Sequence, residues 1–116
     1  MEQVGVRFPY YFLIKIKKQM KTFKDIVFKP HSVGEGLHGL LFFPNGYGVS
    51  VVRFKIPNTE RGYGTYTSNE KEWEVAVLVG NENDWEITYD THIAGDVIGY
   101  LTEGEVDWIM LQVQEL

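Results

Sequence analysis

The sequence predicts a single α+β domain: an antiparallel sheet of four or five strands with one C-terminal helix packed on its apolar face. Two patterns carry this prediction. Residues 21–90 contain short β-prone runs separated by glycine and Asn-Gly, and residues 102–116 change to a helical period. A length of 116 residues suits one domain, for which we take residues 20–116.

The N-terminal half predicts three strands, at residues 25–29, 37–43 and 47–54. Pro30 ends the first strand, and Asn45-Gly46 separates the other two. Asn-Gly between apolar runs is typical of a two-residue hairpin turn, which would place Phe42 opposite Val49 and Leu40 opposite Val51. Pro44 has no N–H to give to such a turn, so a longer loop is the alternative.

A second hairpin is predicted from strands at 71–79 and 85–90, joined by a polar turn at 80–84. Side chains alternate between the two faces of a strand. One face of the first strand carries Trp73, Val75, Val77 and Val79, and the other carries Glu72, Glu74, Ala76 and Leu78. In the second strand one face carries Trp85, Ile87 and Tyr89, and the other carries Glu86, Thr88 and Asp90. We therefore expect one apolar and one acidic face, the acidic one presenting Glu72, Glu74, Glu86 and Asp90.

The C-terminal segment reads as a helix that begins with a capping box. Thr102 and Glu105 have the spacing at which each side chain satisfies the other's backbone N–H. The apolar residues that follow recur at helical spacing and form one stripe: Val106, Ile109, Met110, Val113 and Leu116. A short helical turn at residues 96–100 is expected before it.

The charge is strongly asymmetric. Residues 1–68 carry 10 Lys/Arg and 4 Asp/Glu (+6), whereas residues 69–116 carry 1 Lys/Arg and 12 Asp/Glu (−11), which gives the net charge of −5. Such an acidic half disfavours phosphate binding, and it suits a solvated surface, a basic partner or self-association of opposite halves. The absence of cysteine excludes a disulfide scaffold, a zinc ribbon and thiol catalysis.

Residues 1–19 differ in composition from the rest, and two interpretations stay open. They are either an N-terminal extension that adds a strand, or an upstream read-through before a natural start at Met20. Mass spectrometry of the native product separates the two. The apolar run at 8–14 is too short for a membrane span, is interrupted by Pro9 and is followed rather than preceded by lysines. We therefore expect neither a signal peptide nor a transmembrane helix, and a cytoplasmic location.

Three stretches resemble a family of small, functionally uncharacterised proteins encoded by bacteriophages and prophages. They are FPNGYGVSVVRF (43–54), YTSNEKEWEVAVL (66–78) and YDTHIAGDVIGYLTEGEVDWIMLQVQEL (89–116). The resemblance covers residues 20–116 and implies an accessory protein acting in an infected bacterial cell. The sequence departs from the family pattern at His92, where the family has proline, and at Gly104 and Trp108, where it has polar residues.

Catalytic and cofactor motifs are weak. Residues 34–39 match GxGxxG, but an apolar strand follows where a dinucleotide site requires a helix. Asp90, His92 and Asp96 are close in sequence and are the best candidates for a hydrolase or metal site, although such clusters more often cap loop backbone groups. No serine lies in a GxSxG setting. We expect no enzyme activity, no cofactor and no metal.

Two kinds of binding surface are predicted. The favoured one has two parts. The first is a set of carboxylates spaced to attract a basic protein surface: Glu72, Glu74, Glu86 and Asp90. The second is an apolar anchor for a partner or a homodimer, formed by Trp108 and Leu111 on the polar side of the helix. The alternative is a small-ligand or nucleotide module at the Gly/Tyr loop 62–67, built from Arg53, Arg61, Tyr63 and Tyr66.

The sequence thus favours a phage-type accessory protein that acts by stoichiometric protein binding. Its expected partner is a host or anti-phage defence protein with a basic surface, with neither membrane nor nucleic acid involved. Spaced carboxylates that imitate DNA phosphates are one way to occupy such a surface.

Overall fold

The computed structural model describes residues 20–56 and 62–116. The first predicted segment, residues 1–19, and Arg61 lie outside these residues. A 3-10 turn at Phe23–Asp25 opens the described chain. Six strands and a helix follow: β1 (Lys29–Pro30), β2 (Glu35–Phe42), β3 (Tyr47–Lys55), β4 (Trp73–Asn81), β5 (Asp84–Ile87), β6 (Ile98–Leu101) and α1 (Glu103–Gln114).

The strands form one antiparallel sheet in the order β1-β2-β3-β4-β5, and β6 also pairs with β4. The predicted α+β class, with an antiparallel sheet and a C-terminal helix, is confirmed. The strand count rises to six because residues 96–100 were wrongly predicted as a helical turn. Ile98 and Leu101 instead pair with Val75 and Trp73 of β4.

The first hairpin has the longer loop. Phe42 pairs with Gly48 and Leu40 with Ser50, so the two-residue turn and the predicted partners Val49 and Val51 are wrong. The N–H of Gly46 donates to the carbonyl of Phe43 at 3.2 Å, and Gly46 has φ +88°. This is a three-residue loop with glycine in the left-handed conformation, which accommodates Pro44 at its first position.

The predicted strand at 25–29 is also wrong, since only Lys29–Pro30 pairs with β2. The preceding backbone is hydrogen-bonded to the helix instead. The N–H of Phe23 donates to Asp107 Oδ1 at 2.7 Å, and the amide side chain of Gln114 bonds both the N–H and the carbonyl of Lys21. These contacts hold the start of the described chain against α1, and the chain joins the edge of the sheet only at β1.

Helix α1 covers one face of the sheet. Its capping box is present as predicted: Thr102 N–H donates to Glu105 Oε1 at 2.9 Å, and Glu105 N–H donates to Thr102 Oγ1 at 3.3 Å. The predicted stripe is buried against alternate residues of β3 and β4. Both sets belong to one core that includes Val106, Ile109, Met110 and Val113 with Val49, Val51, Val75 and Val77.

Among the described residues no helix has the length and hydropathy needed to cross a membrane.

The packing of α1 predicts that alanine substitutions at two nearby helix residues change the free energy of unfolding by very different amounts. Met110 is fully buried, so Met110→Ala should lower the free energy of unfolding by about 2–5 kcal/mol. Trp108 is 64% exposed, so Trp108→Ala should change it by less than about 0.5 kcal/mol. Urea unfolding of both variants measures the difference. Similar losses from the two substitutions would contradict the placement of the helix.

Candidate functional site

The register of the second hairpin decides which side chains share a face. Asn81 pairs with Asp84, Val79 with Glu86 and Leu78 with Ile87, so the loop is the dipeptide Glu82-Asn83. Directly paired residues point to the same face of a sheet. Glu86 therefore lies on the side of α1 with Val79, whereas Glu74 lies on the other side with Leu78.

The prediction that four carboxylates share one acidic face is therefore wrong. Glu74 and Glu86 lie on opposite faces, and Glu72 and Asp90 lie outside β4 and β5. The expected apolar face of the hairpin is divided in the same way. Trp73, Val75 and Val77 lie toward the helix, but Trp85 and Ile87 lie on the face that α1 does not cover.

The carboxylates of Glu72 and Glu74 are bound to the preceding loop. Glu72 Oε1 accepts from the hydroxyl of Ser68 at 2.6 Å and from its N–H at 2.9 Å, and Glu74 Oε1 accepts from the N–H of Tyr66 at 2.9 Å. The hydrogen bonds from Ser68 lower the pKa of Glu72. These two carboxylates hold the loop against β4.

The face opposite α1 carries an apolar patch, which we call the open face and define as Leu40, Phe42, Leu78, Trp85 and Ile87. Trp85 is 38% and Ile87 41% exposed, and Leu78 beneath them is fully buried. The rings of Phe42 and Trp85 lie 6.4 Å apart. The patch is thus continuous across β2, β4 and β5.

Glycine makes this continuity possible at β3. Gly48 lies between Phe42 and Leu78 in the sheet. A Cβ at Gly48 would lie 2.7 Å from the Phe42 ring, which is shorter than van der Waals contact allows. The missing side chain therefore lets the ring lie across β3 toward Trp85.

A cavity of about 670 Å³ adjoins the open face at the side of β2. Its walls are apolar at Leu40, Leu41 and Phe42, with Lys29 and Glu82 also lining it. This size suits one or two large side chains of a partner as well as a small ligand.

His38 and Ser50 form a half-buried polar pair next to the patch. His38 Nε2 lies 2.9 Å from Ser50 Oγ. Burial, and to a smaller degree the charge of His31, lowers the pKa of His38 below its ordinary value of 6.5. Because Ser50 pairs on both sides within the sheet, its backbone N–H belongs to the ladder and is not free to stabilise an oxyanion. The pair therefore satisfies a buried hydroxyl, a role that the sequence does not reveal.

Arg53, Tyr63 and Tyr66 of the alternative ligand site contact residues outside that site. The Arg53 guanidinium lies 4.2 Å from the centroid of the Trp73 ring and donates to the carbonyl oxygen of Glu70. Lys55 Nζ lies 5.3 Å from the centroid of the Tyr63 ring. Tyr66 is 56% exposed, and its carbonyl accepts from Tyr100 N–H. Arg53 thus has little freedom to bind a phosphate.

The remaining candidates gain no support. Asp96 Oδ1 accepts from the N–H of Val97 at 2.7 Å, the capping arrangement expected for a loop. Within residues 20–56 and 62–116 no three His, Cys, Asp or Glu side chains are grouped to hold a metal ion. The glycine motif at 34–39 leads into strand β2, so it lacks the helix of a dinucleotide site.

Trp108 lies on the outer side of α1, as the helical period predicts, but Leu111 is half-buried and is not an exposed neighbour. Trp108 and the open face lie on opposite sides of the sheet. The sequence pattern missed the open face because it assigned Trp85 and Ile87 to the helix side. The signal that was available is Asn81: its Oδ1 accepts from Asn83 N–H at 2.9 Å and Asp84 N–H at 3.1 Å, which favours a tight loop.

No protein-family model, curated protein or solved structure matches this chain. The resemblance to phage-encoded proteins therefore stays a prediction.

The low pKa of His38 predicts how stability changes with pH. The unfolded chain takes up a proton at about pH 6.5, whereas the folded chain takes it up only at lower pH. The stability that neutral His38 contributes is therefore present above about pH 6.5 and is lost as the pH falls through the lower pKa of folded His38. Urea unfolding at pH 7 and pH 5 should show a smaller acid-induced loss for His38→Gln than for the wild type. Equal losses would contradict the assignment.

Proposed function

We propose that this chain is a non-enzymatic binding protein whose partner is a protein with a basic surface. The contact surface is the open face together with the acidic strand β5. The resemblance to phage-encoded proteins adds the expectation that the partner is a host or anti-phage defence protein, met in the cytoplasm of an infected bacterium.

The exposed apolar residues of the open face carry this proposal. Soluble proteins bury most large apolar side chains, and contiguous exposed ones are typical of contact sites. Trp85 and Ile87 are more than one-third exposed although both lie in a strand. Tryptophan is also the residue type that most often dominates binding energy. The open face therefore provides an anchor of the kind that protein partners use.

Charge supports a basic partner. The segment 81–90, which contains β5, carries Glu82, Asp84, Glu86 and Asp90 and contains no Lys or Arg. These carboxylates surround Trp85 and Ile87 along the chain, and all four residues of β5 are exposed. Asp84 and Glu86 project from the face of β5 opposite to Trp85 and Ile87, so a partner at this strand meets apolar side chains on one face and carboxylates on the other. Complementary charge favours the selection of one partner. This arrangement replaces the four-carboxylate face that the sequence predicted.

The ligand-module alternative at the Gly/Tyr loop is less well supported, because Arg53 is held by Trp73 and Glu70.

Capture from a bacterial lysate, followed by titration of the purified captured protein, tests the proposal. Trp85→Ala should raise the measured Kd about 30-fold, because the partner loses a central anchor. Trp108→Ala is the matched control and should change it less than about twofold. Raising the salt from about 50 to 500 mM should weaken binding further, because exposed charges are screened.

Two outcomes would contradict the proposal. One is that the wild type retains no protein specifically, and the other is that Trp108→Ala abolishes binding while Trp85→Ala leaves it intact.

A further inference from the structure

The outer edge of β5 is open within the described part of the chain. The order of the sheet ends with β5, which pairs with β4 alone. Thr88 N–H donates to the carbonyl of Val77 at 2.9 Å, so the backbone groups of Thr88 point toward β4. Because these directions alternate along an antiparallel strand, Glu86 also points inward, and Trp85 and Ile87 point outward. Their N–H and C=O groups are therefore placed to bind another strand.

The side chains of β5 determine which strand fits. Trp85 and Ile87 lie on the open face, and Asp84 and Glu86 lie on the other face. A strand paired with β5 has its own side chains directly opposite these residues. Apolar residues would meet Trp85 and Ile87, and Lys or Arg would meet Asp84 and Glu86. The complementary sequence alternates between apolar and basic residues.

A second copy of β5 does not fit this edge. Antiparallel pairing of two copies centred on Glu86 would place the two Glu86 carboxylates directly opposite each other. Like charges in that position destabilise a sheet. The segment 81–90 has no basic residue to relieve the repulsion. Charge along this edge thus favours a basic segment over self-association.

We propose that β5 is a docking edge for an extended segment of the partner protein whose side chains alternate between apolar residues and Lys or Arg. The segment adds antiparallel to β5 and extends the sheet by one strand. Its apolar side chains extend the patch of Trp85 and Ile87, and its cations neutralise Asp84 and Glu86. This inference rests on the proposed function and names the way in which the partner is recognised.

Fluorescence anisotropy with a labelled, capped peptide Lys-Ile-Lys-Ile-Lys-Ile tests the strand addition on the full chain. In antiparallel pairing the isoleucine N–H groups face β5 and the lysine N–H groups face away. N-methylation of the isoleucines should therefore weaken binding at least about tenfold, whereas N-methylation of the lysines should change it less than about threefold. The matched peptide Glu-Ile-Glu-Ile-Glu-Ile should bind at least about tenfold more weakly than the parent.

The same titration is carried out on Lys15→Glu/Lys17→Glu, because Ile14 to Lys17 of this chain have the same alternating pattern in sequence. Parent-peptide binding to the wild type with the expected N-methyl difference supports the inference. Binding to this variant alone would overturn it by indicating that the chain's own segment is the occupant. Binding to neither protein would also overturn it. Equal binding of the two N-methylated peptides would exclude strand addition and leave the proposed surface contact through Trp85 standing.

Discussion

The register between β4 and β5 is the constraint on which the proposed contact surface depends. Side chains alternate along a strand, so a shift of one residue moves a whole strand's side chains to the opposite face. The loop Glu82-Asn83 and the Asn81 side chain that bonds its backbone fix that register. As a result Trp85 and Ile87 lie away from the helix, and Glu86 lies on the helix side.

A single helix then divides the sheet into two chemically different faces. Helix α1 buries a continuous aliphatic core against alternate residues of β3 and β4. The opposite face has no helix among the described residues, and it contains an apolar patch at one end and the polar pair His38 and Ser50 at the other. Burial of the valine-rich face stabilises the fold, and the other face carries the surface that we propose for partner binding. The acidic strand β5 borders this second face.

The sequence predicted the parts of the fold that depend on local pattern. The capping box of Thr102 and Glu105, the apolar stripe of α1 and the alternation along β4 all follow from neighbouring residues. It did not predict that the chain before β1 would bond to α1, because those contacts join residues about 90 positions apart. It also missed β6, whose extra residue at Tyr100, with φ 58°, breaks the strand pattern.

The candidate site was predictable in residue types but not in arrangement. The sequence identified the carboxylates and the apolar residues of the second hairpin, but it placed Trp85 and Ile87 on the face that the helix covers. The length of the loop fixes which residues of β4 and β5 are paired, and this pairing decides which side chains share a face. The predicted five-residue turn at 80–84 would pair Val79 with Trp85, whereas the two-residue loop pairs Val79 with Glu86 and moves Trp85 to the other face. The roles of Glu72 and Glu74 in the loop depend on contacts with Ser68 and Tyr66 that no local pattern encodes.

Amide hydrogen exchange along residues 84–88, followed by NMR, tests this register most directly. The account predicts slow exchange at Glu86 and Thr88, whose N–H groups point toward β4, and fast exchange at Trp85 and Ile87, whose N–H groups face solvent. The reverse pattern, with Trp85 and Ile87 protected, would place the strand one residue out of register. Trp85 and Ile87 would then face α1, and the open face and its docking edge would not exist.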